Sequence, residues 1–176
     1  VPATHWGSKY INGLYEKGIV NGSGENLFQP ENNVTREEFV KMVLLGMNIE
    51  VTSQDVPFSD VDTNEWYAPY VATAYQMGII KGIDDDAFGV GQFISRQDMA
   101  VMADRILTSK GITAGTSEMV RYADNDQIDG YAVEAVQNLA DLKVMNGDTN
   151  NRFNPAANAT RAESAKIVSI LNSMLK

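Results

Sequence analysis

The sequence predicts an all-α fold in which three copies of one helix-loop-helix repeat pack into a single pseudo-threefold body. Three observations carry that expectation. The segment Lys17-Gly18-Ile19-Val20-Asn21-Gly22 returns as Met77-Gly78-Ile79-Ile80-Lys81-Gly82 and again as Leu142-Lys143-Val144-Met145-Asn146-Gly147, and self-similarity at a long period is the mark of a repeat architecture. Apolar residues recur at helical spacing on both sides of each such loop, with no period-two pattern of useful length to compete. Units of roughly 50 residues bury too little surface to stand alone, so three in series are expected to share one core.

The first repeat, 1–50, carries Trp6 ahead of a helical pattern in Tyr10, Ile11 and Leu14. The glycine loop follows, then Phe28 and Pro30, and Thr35-Arg36-Glu37-Glu38 opens a second apolar run. The second repeat, 56–110, begins with Phe58-Ser59-Asp60 and Trp66, continues through Tyr70, Val71 and Ala74, and passes Phe88 and Val90 to Ser95-Arg96-Gln97-Asp98. In the third, 120–176, the matching residues are Tyr122-Ala123-Asp124, Tyr131, Phe153, Pro155 and Thr160-Arg161-Ala162-Glu163. The Ser-, Thr- and Gly-rich connectors near 48–57 and 109–121 are the expected boundaries. The repeat-one counterpart of Phe58-Ser59-Asp60 would lie before Val1, and the chain reads as an excised fragment of something larger.

Composition narrows the function. The 176 residues are 44% hydrophobic, enough for a real core, and carry a formal charge of −9, which disfavours a sequence-independent grip on nucleic-acid phosphates or an acidic membrane surface. No cysteine is present, excluding disulfides, thiolate metal sites and a cysteine nucleophile. The apolar stretch Phe39 to Met47 is interrupted by Lys41 and is far too short to span a bilayer. His5 is the only histidine, and neither a Gly-x-Ser-x-Gly nor a phosphate loop occurs, so an enzyme is not expected. Calcium is suggested by Asp84-Asp85-Asp86 with Gly89, and by Asp60, Asp62 and Asn64. An EF-hand loop needs Glu at its twelfth position, where these frames have Ser95 and Val71, so neither metal nor cofactor is expected.

Thr35 with Glu38 and Thr160 with Glu163 match a capping box, and Ser95 with Asp98 is a weaker version because aspartate is short. Capping leaves the arginine unexplained. Arg36, Arg96 and Arg161 stand at the first helical position, where the helix dipole disfavours a cation by about 0.3–1 kcal/mol. Two partners could offset that: an internal aspartate, with Asp60 and Asp124 available, or an external carboxylate held by a bidentate guanidinium pair. Trp6 and Trp66 are open to two readings, core residues or plates on which a sugar ring stacks. Gly22, Gly82 and Gly147 either end a turn at positive φ, admit close approach of a ligand to the backbone, or both.

Phe58-Ser59-Asp60-Val61 leading to Trp66, Gly78-Ile79-Ile80-Lys81-Gly82, and the Thr-Arg-x-Glu boxes at Thr35 and Thr160 together resemble the S-layer homology domain, over nearly the whole chain. That resemblance implies a single-chain spindle in which the helices after each box form a central bundle, with ligand grooves between neighbouring repeats. It implies non-covalent anchoring of a surface-layer or other extracellular protein to a Gram-positive-type cell wall. The partner it implies is a secondary cell-wall polysaccharide, often ending in pyruvylated N-acetylmannosamine. By position, Arg36, Arg96 and Arg161 would bind the ketal carboxylate, Trp6 and Trp66 would flank the sugar, and Gly22, Gly82 and Gly147 would let backbone approach it. The third repeat departs from the pattern with Tyr131 for tryptophan, Lys143 for the first loop glycine and one extra residue after Asp124, so one or two working grooves are expected. The alternative function is a helical scaffold for protein–protein interaction or self-assembly, which should show an exposed apolar stripe across all copies.

Overall fold

Six helices alternate short and long in a computed structural model that describes residues 1–22, 24, 27–52, 55–115 and 119–175. They are α1 (Ser8–Glu16), α2 (Arg36–Gly46), α3 (Ala68–Gln76), α4 (Arg96–Ser109), α5 (Val133–Asp141) and α6 (Arg161–Ser173), with a 3-10 turn at Asn125–Gln127. The all-α expectation is met: among the described residues extended pairing is confined to isolated bridges.

Local sequence accounts for the ends of these helices. Both halves of the capping box form at Thr35 and Glu38 and at Thr160 and Glu163. At Ser95 only the hydroxyl half forms, accepting from the Asp98 N–H, as the shorter aspartate predicts. The short helices α1, α3 and α5 have no side-chain cap and are held by a buried stripe, Ile11 and Leu14, Val71 and Ala74, Val136 and Leu139. Each ends in a Schellman motif closed by Ile19 N–H to Leu14 O, Ile79 N–H to Ala74 O and Val144 N–H to Leu139 O, at 2.8–2.9 Å. The left-handed residue this motif needs is Gly18, Gly78 or, in the third repeat, Lys143 at φ 57°. Lys143 therefore keeps the turn of the glycines it replaces.

Packing runs between repeats rather than within them. The short helix of each repeat lies on the long helix of the repeat before it: α3 on α2, α5 on α4, and α1 back on α6, while α2 touches both α4 and α6. The long helices thus form the central bundle and the short ones its outer layer. Where α2 ends, Gly46 lies so close to α6 that an added Cβ would sit 2.4 Å from Val168 Cγ1. Gly46→Ala is therefore expected to cost about 1–3 kcal/mol by overpacking, read as a lower urea midpoint with unchanged slope.

A closed ring of hydrogen bonds fixes the threefold at the N-terminal ends of the long helices. Val34 N–H donates to Ala159 O, Ala159 N–H to Ile94 O, and Ile94 N–H to Val34 O, at 3.0–3.1 Å. One residue pair further out, the N–H groups of Arg36, Arg96 and Arg161 donate to Gln92, Ala157 and Asn32 O, at 2.8–2.9 Å. Helix-terminal donors that would otherwise need water are satisfied by the next repeat, and Val34, Ile94 and Ala159 are wholly buried.

The aspartates at the head of repeats two and three brace the loops. Asp60 accepts from the N–H groups of Phe88, Gly89 and Val90 at 2.7–2.9 Å, and Asp124 from those of Phe153 and Asn154 at 2.8 Å. Burial opposes ionisation of Asp60, but these N–H groups outweigh it and hold its carboxyl below the ordinary aspartate value. Because the folded value is depressed, this stabilisation is present above the unfolded pKa, near pH 4, and fades as pH falls through the folded value. Asp60→Asn, with one acceptor oxygen, is expected to lower stability by about 1–3 kcal/mol at pH 7, the gap from wild type narrowing in acid. Phe58 and Tyr122, two residues earlier, pack on Phe88 and Phe153 with ring centroids 6.1 and 5.5 Å apart. In repeat one, Phe28 and Gly22 line a cavity of about 460 Å³ together with Val1, Ile11 and Tyr15.

Candidate ligand grooves

Each arginine of the three boxes reaches forward into the next repeat. Arg36 donates from Nε to Phe88 O at 3.0 Å and from Nη1 to Asp98 Oδ2 at 3.0 Å. Arg96 donates to Phe153 O at 2.9 Å, Glu163 Oε1 at 2.9 Å and Asn146 O at 3.3 Å. Arg161 donates to Phe28 O at 3.0 Å and Asn21 O at 3.1 Å, with Glu38 Oε1 3.5 Å from Nη1. Each guanidinium also lies over the ring of the same phenylalanine, 4.6–5.3 Å from its centroid. The internal partner is thus the carboxylate at the fourth position of the following repeat's box, Asp98, Glu163 or Glu38. Asp60 and Asp124, which the sequence offers for that role, are engaged with loop N–H groups instead.

The other site residues assemble around these arginines, one repeat supplying each part. In the first groove, of about 360 Å³, Arg96 of repeat two meets the Val144–Asp148 loop, Glu163 and Lys166 of repeat three, with Trp6 of repeat one on its wall. In the second, of about 210 Å³, Arg161 of repeat three meets the Ile19–Gly22 loop, Glu38 and Lys41 of repeat one, with Trp66 of repeat two on its wall. Trp6 and Trp66 are 53% and 47% exposed, so they are not core residues but available faces. Lys41 Nζ lies 5.0 Å from the Trp66 ring centroid. Around Arg36 the matching parts are Phe88 O, Asp98 and Tyr131, whose hydroxyl donates to Asp98 Oδ1 at 2.7 Å.

The glycines require a correction. Only Gly82 has positive φ, at 89°. What demands glycine at all three positions is space: an added Cβ would meet Leu27 O at 2.9 Å from Gly22, Ala87 O at 2.6 Å from Gly82, and the Tyr122 ring at 2.8 Å from Gly147. The loop backbone can fold back on itself there only without a side chain. The acidic loop considered for calcium is likewise internally engaged, since Asp84 Oδ1 accepts from the N–H groups of Asp86 and Ala87 at 2.9 and 2.8 Å. Among the described residues no group of three or more His, Cys, Asp or Glu is placed to hold a metal ion, and no helix is long and apolar enough to cross a membrane.

The S-layer homology domain family matches at residues 1–40, 57–100 and 121–165, the three stretches that build the ring and grooves. The chain belongs to the S-layer homology family. It is 35% identical to an endoglucanase of Bacillus sp. (strain KSM-635), over 97% of this chain and 18% of that protein. An amylopullulanase of Thermoanaerobacterium thermosulfurigenes is 36% identical over 93% of the chain and 9% of its own length. The S-layer protein of Bacillus thuringiensis subsp. finitimus is 28% identical over 96% and 20%. The chain thus spans a fifth or less of each of these relatives. Shared by enzymes of different activity and by a surface-layer protein, the S-layer homology module is a cell-surface anchoring unit.

Sequence reasoning missed two groove residues of the S-layer homology repeats, Lys41 and Lys166. Both stand six positions after the capping threonine, and the middle repeat has Val101 there, so aligning the repeats one turn further would have found them. Neither makes an ion pair with a described carboxylate. Lys41 instead lies over the Trp66 and Tyr70 rings, 5.0 and 5.5 Å from their centroids.

Proposed function

We propose that the module anchors its parent protein by binding an acidic secondary cell-wall polysaccharide, with a pyruvylated N-acetylmannosamine-type sugar seated in the grooves of Arg96 and Arg161. One observation carries this reading: each of these grooves sets a half-exposed tryptophan beside a lysine and an arginine, over a floor of loop backbone. A flat aromatic face takes the apolar side of a sugar ring. The two cations take a carboxylate, and charge-assisted hydrogen bonds of about 1.5–3 kcal/mol each are enough for specific binding. Arg96 donates three hydrogen bonds and Arg161 two, with Glu38 3.5 Å from Arg161 Nη1, so part of each five-donor fork remains for a ligand. Gly22 and Gly147 keep the loop close beneath the sugar. The net charge of −9 does not oppose this, because screening over roughly 8 Å at physiological salt leaves local geometry in control.

The test is calorimetric titration with a pyruvylated N-acetylmannosamine glycoside beside the same sugar lacking the ketal. Binding that requires the ketal and falls on Trp6→Ala and Trp66→Ala is the expected result. Equal heats from both sugars, or none from either, would sink the reading and bring forward a protein-binding scaffold.

A further inference from the structure

The groove position around Arg36 differs from the other two in its wall residue, in the residue one turn along its long helix and in the exposure of its arginine. Its wall residue is Tyr131 rather than tryptophan, and the Tyr131 hydroxyl is bonded to Asp98 Oδ1 at 2.7 Å. The other oxygen of the same carboxylate takes Arg36 Nη1 at 3.0 Å. Tyr131, Asp98 and Arg36 therefore form one continuous chain drawn from repeats three, two and one. The Arg36 side chain is only 6% exposed, against 15% for Arg96 and 14% for Arg161. Val101 stands where the open grooves have Lys41 and Lys166, and the two guanidiniums at this position are engaged by the chain itself, Arg36 by Asp98 and Arg105, one turn beyond Val101, by Ile79 O at 3.1 Å.

A tryptophan at 131 could not make this bond toward Asp98 in the same way, because its N–H sits elsewhere on a larger ring, and the open grooves show what such a wall leaves accessible. Tyr131 is 57% exposed, as open as the tryptophans of the other grooves, so it is the hydroxyl bond to Asp98 that sets this position apart.

We propose that Tyr131 is a specificity-determining residue that latches the Arg36 groove shut against acidic sugars, leaving a two-site anchor in which the third position serves only to join the repeats. This rests on the proposed binding function. Two sites on one rigid body let a polymer engage at two points along its length, while the latched third edge holds the ring closed whether or not ligand is present.

The experiment is calorimetric stoichiometry with the pyruvylated glycoside on the full chain, on Tyr131→Trp/Val101→Lys, and on Tyr131→Phe, each checked for folding by circular dichroism. Two equivalents for wild type and three for the double variant are expected, with Tyr131→Phe gaining a third, weaker equivalent. Should the double variant unfold, Tyr131→Phe decides alone, since it removes one hydroxyl and nothing else. Three equivalents on wild type, or two on every folded variant, overturn the latch while leaving the binding function intact. No binding by wild type overturns both.

Discussion

Arg36→Ala is expected to be the most destabilising of the three arginine substitutions, lowering stability by about 3 kcal/mol, because the Arg36 side chain is the least exposed of the three, at 6%, and its loss leaves the buried Phe88 carbonyl unsatisfied. The change leaves the Phe88 carbonyl and one Asp98 oxygen without their donor and opens a hole beside the Phe88 ring. For a chain of this size that is a fall in Tm of about 6–12 °C, measurable by calorimetry. Arg161→Ala should cost less, since its carboxylate partner stands at 3.5 Å rather than 3.0 Å and the Arg161 side chain is 14% exposed against 6% for Arg36. Ligand binding should respond in the opposite order: Arg36→Ala leaves sugar affinity unchanged, whereas Arg161→Ala removes one equivalent. Equal melting losses for the two variants would contradict the difference in burial on which this ordering rests.

Periodicity and capping were enough to place the long helices and their starts, because those are decided within a few residues: Thr35, Thr160 and their glutamates cap whatever lies beyond. The pairing of the arginines was not legible in the same way. Arg36 contacts Phe88 O and Asp98, more than fifty residues away, and a carbonyl acceptor leaves no trace in residue identity. Asp60 and Asp124 looked like partners because they are acidic and recur, yet the loop N–H groups they accept from are equally invisible in a sequence. The third repeat's departures fall in two different places, because each groove draws on three repeats: Tyr131 stands beside Asp98 and Arg36, while Lys143 closes the Schellman turn that precedes the Arg96 groove. Gly22 and Gly147 were legible as necessary glycines but not for the right cause, since crowding by Leu27 O and Tyr122, rather than backbone sign, forbids a side chain.

Lys41→Glu/Lys166→Glu is expected to abolish sugar binding, with affinity falling at least about 100-fold, while changing stability by no more than about 1–2 kcal/mol, the cost of the Lys41 contacts with the Trp66 and Tyr70 rings. The arginines cannot give so clean an answer, because each also ties two repeats together and its removal mixes folding with binding. The lysines are free of that confusion: they are partly exposed, pair with no described carboxylate, and lie on the walls of the two open grooves. Replacing a cation with an anion removes a charge-assisted bond worth about 1.5–3 kcal/mol and sets a like charge against the ligand, whereas the folding cost is confined to the ring contacts of Lys41, about 0.5–1 kcal/mol each. Lys41→Gln and Lys166→Gln should each remove about tenfold from one site only, so that calorimetry separates the two grooves by stoichiometry. Retention of full affinity in the folded double glutamate variant would mean that the grooves do not read a carboxylate through these cations, and the arginines would then stand as joints between repeats and nothing more.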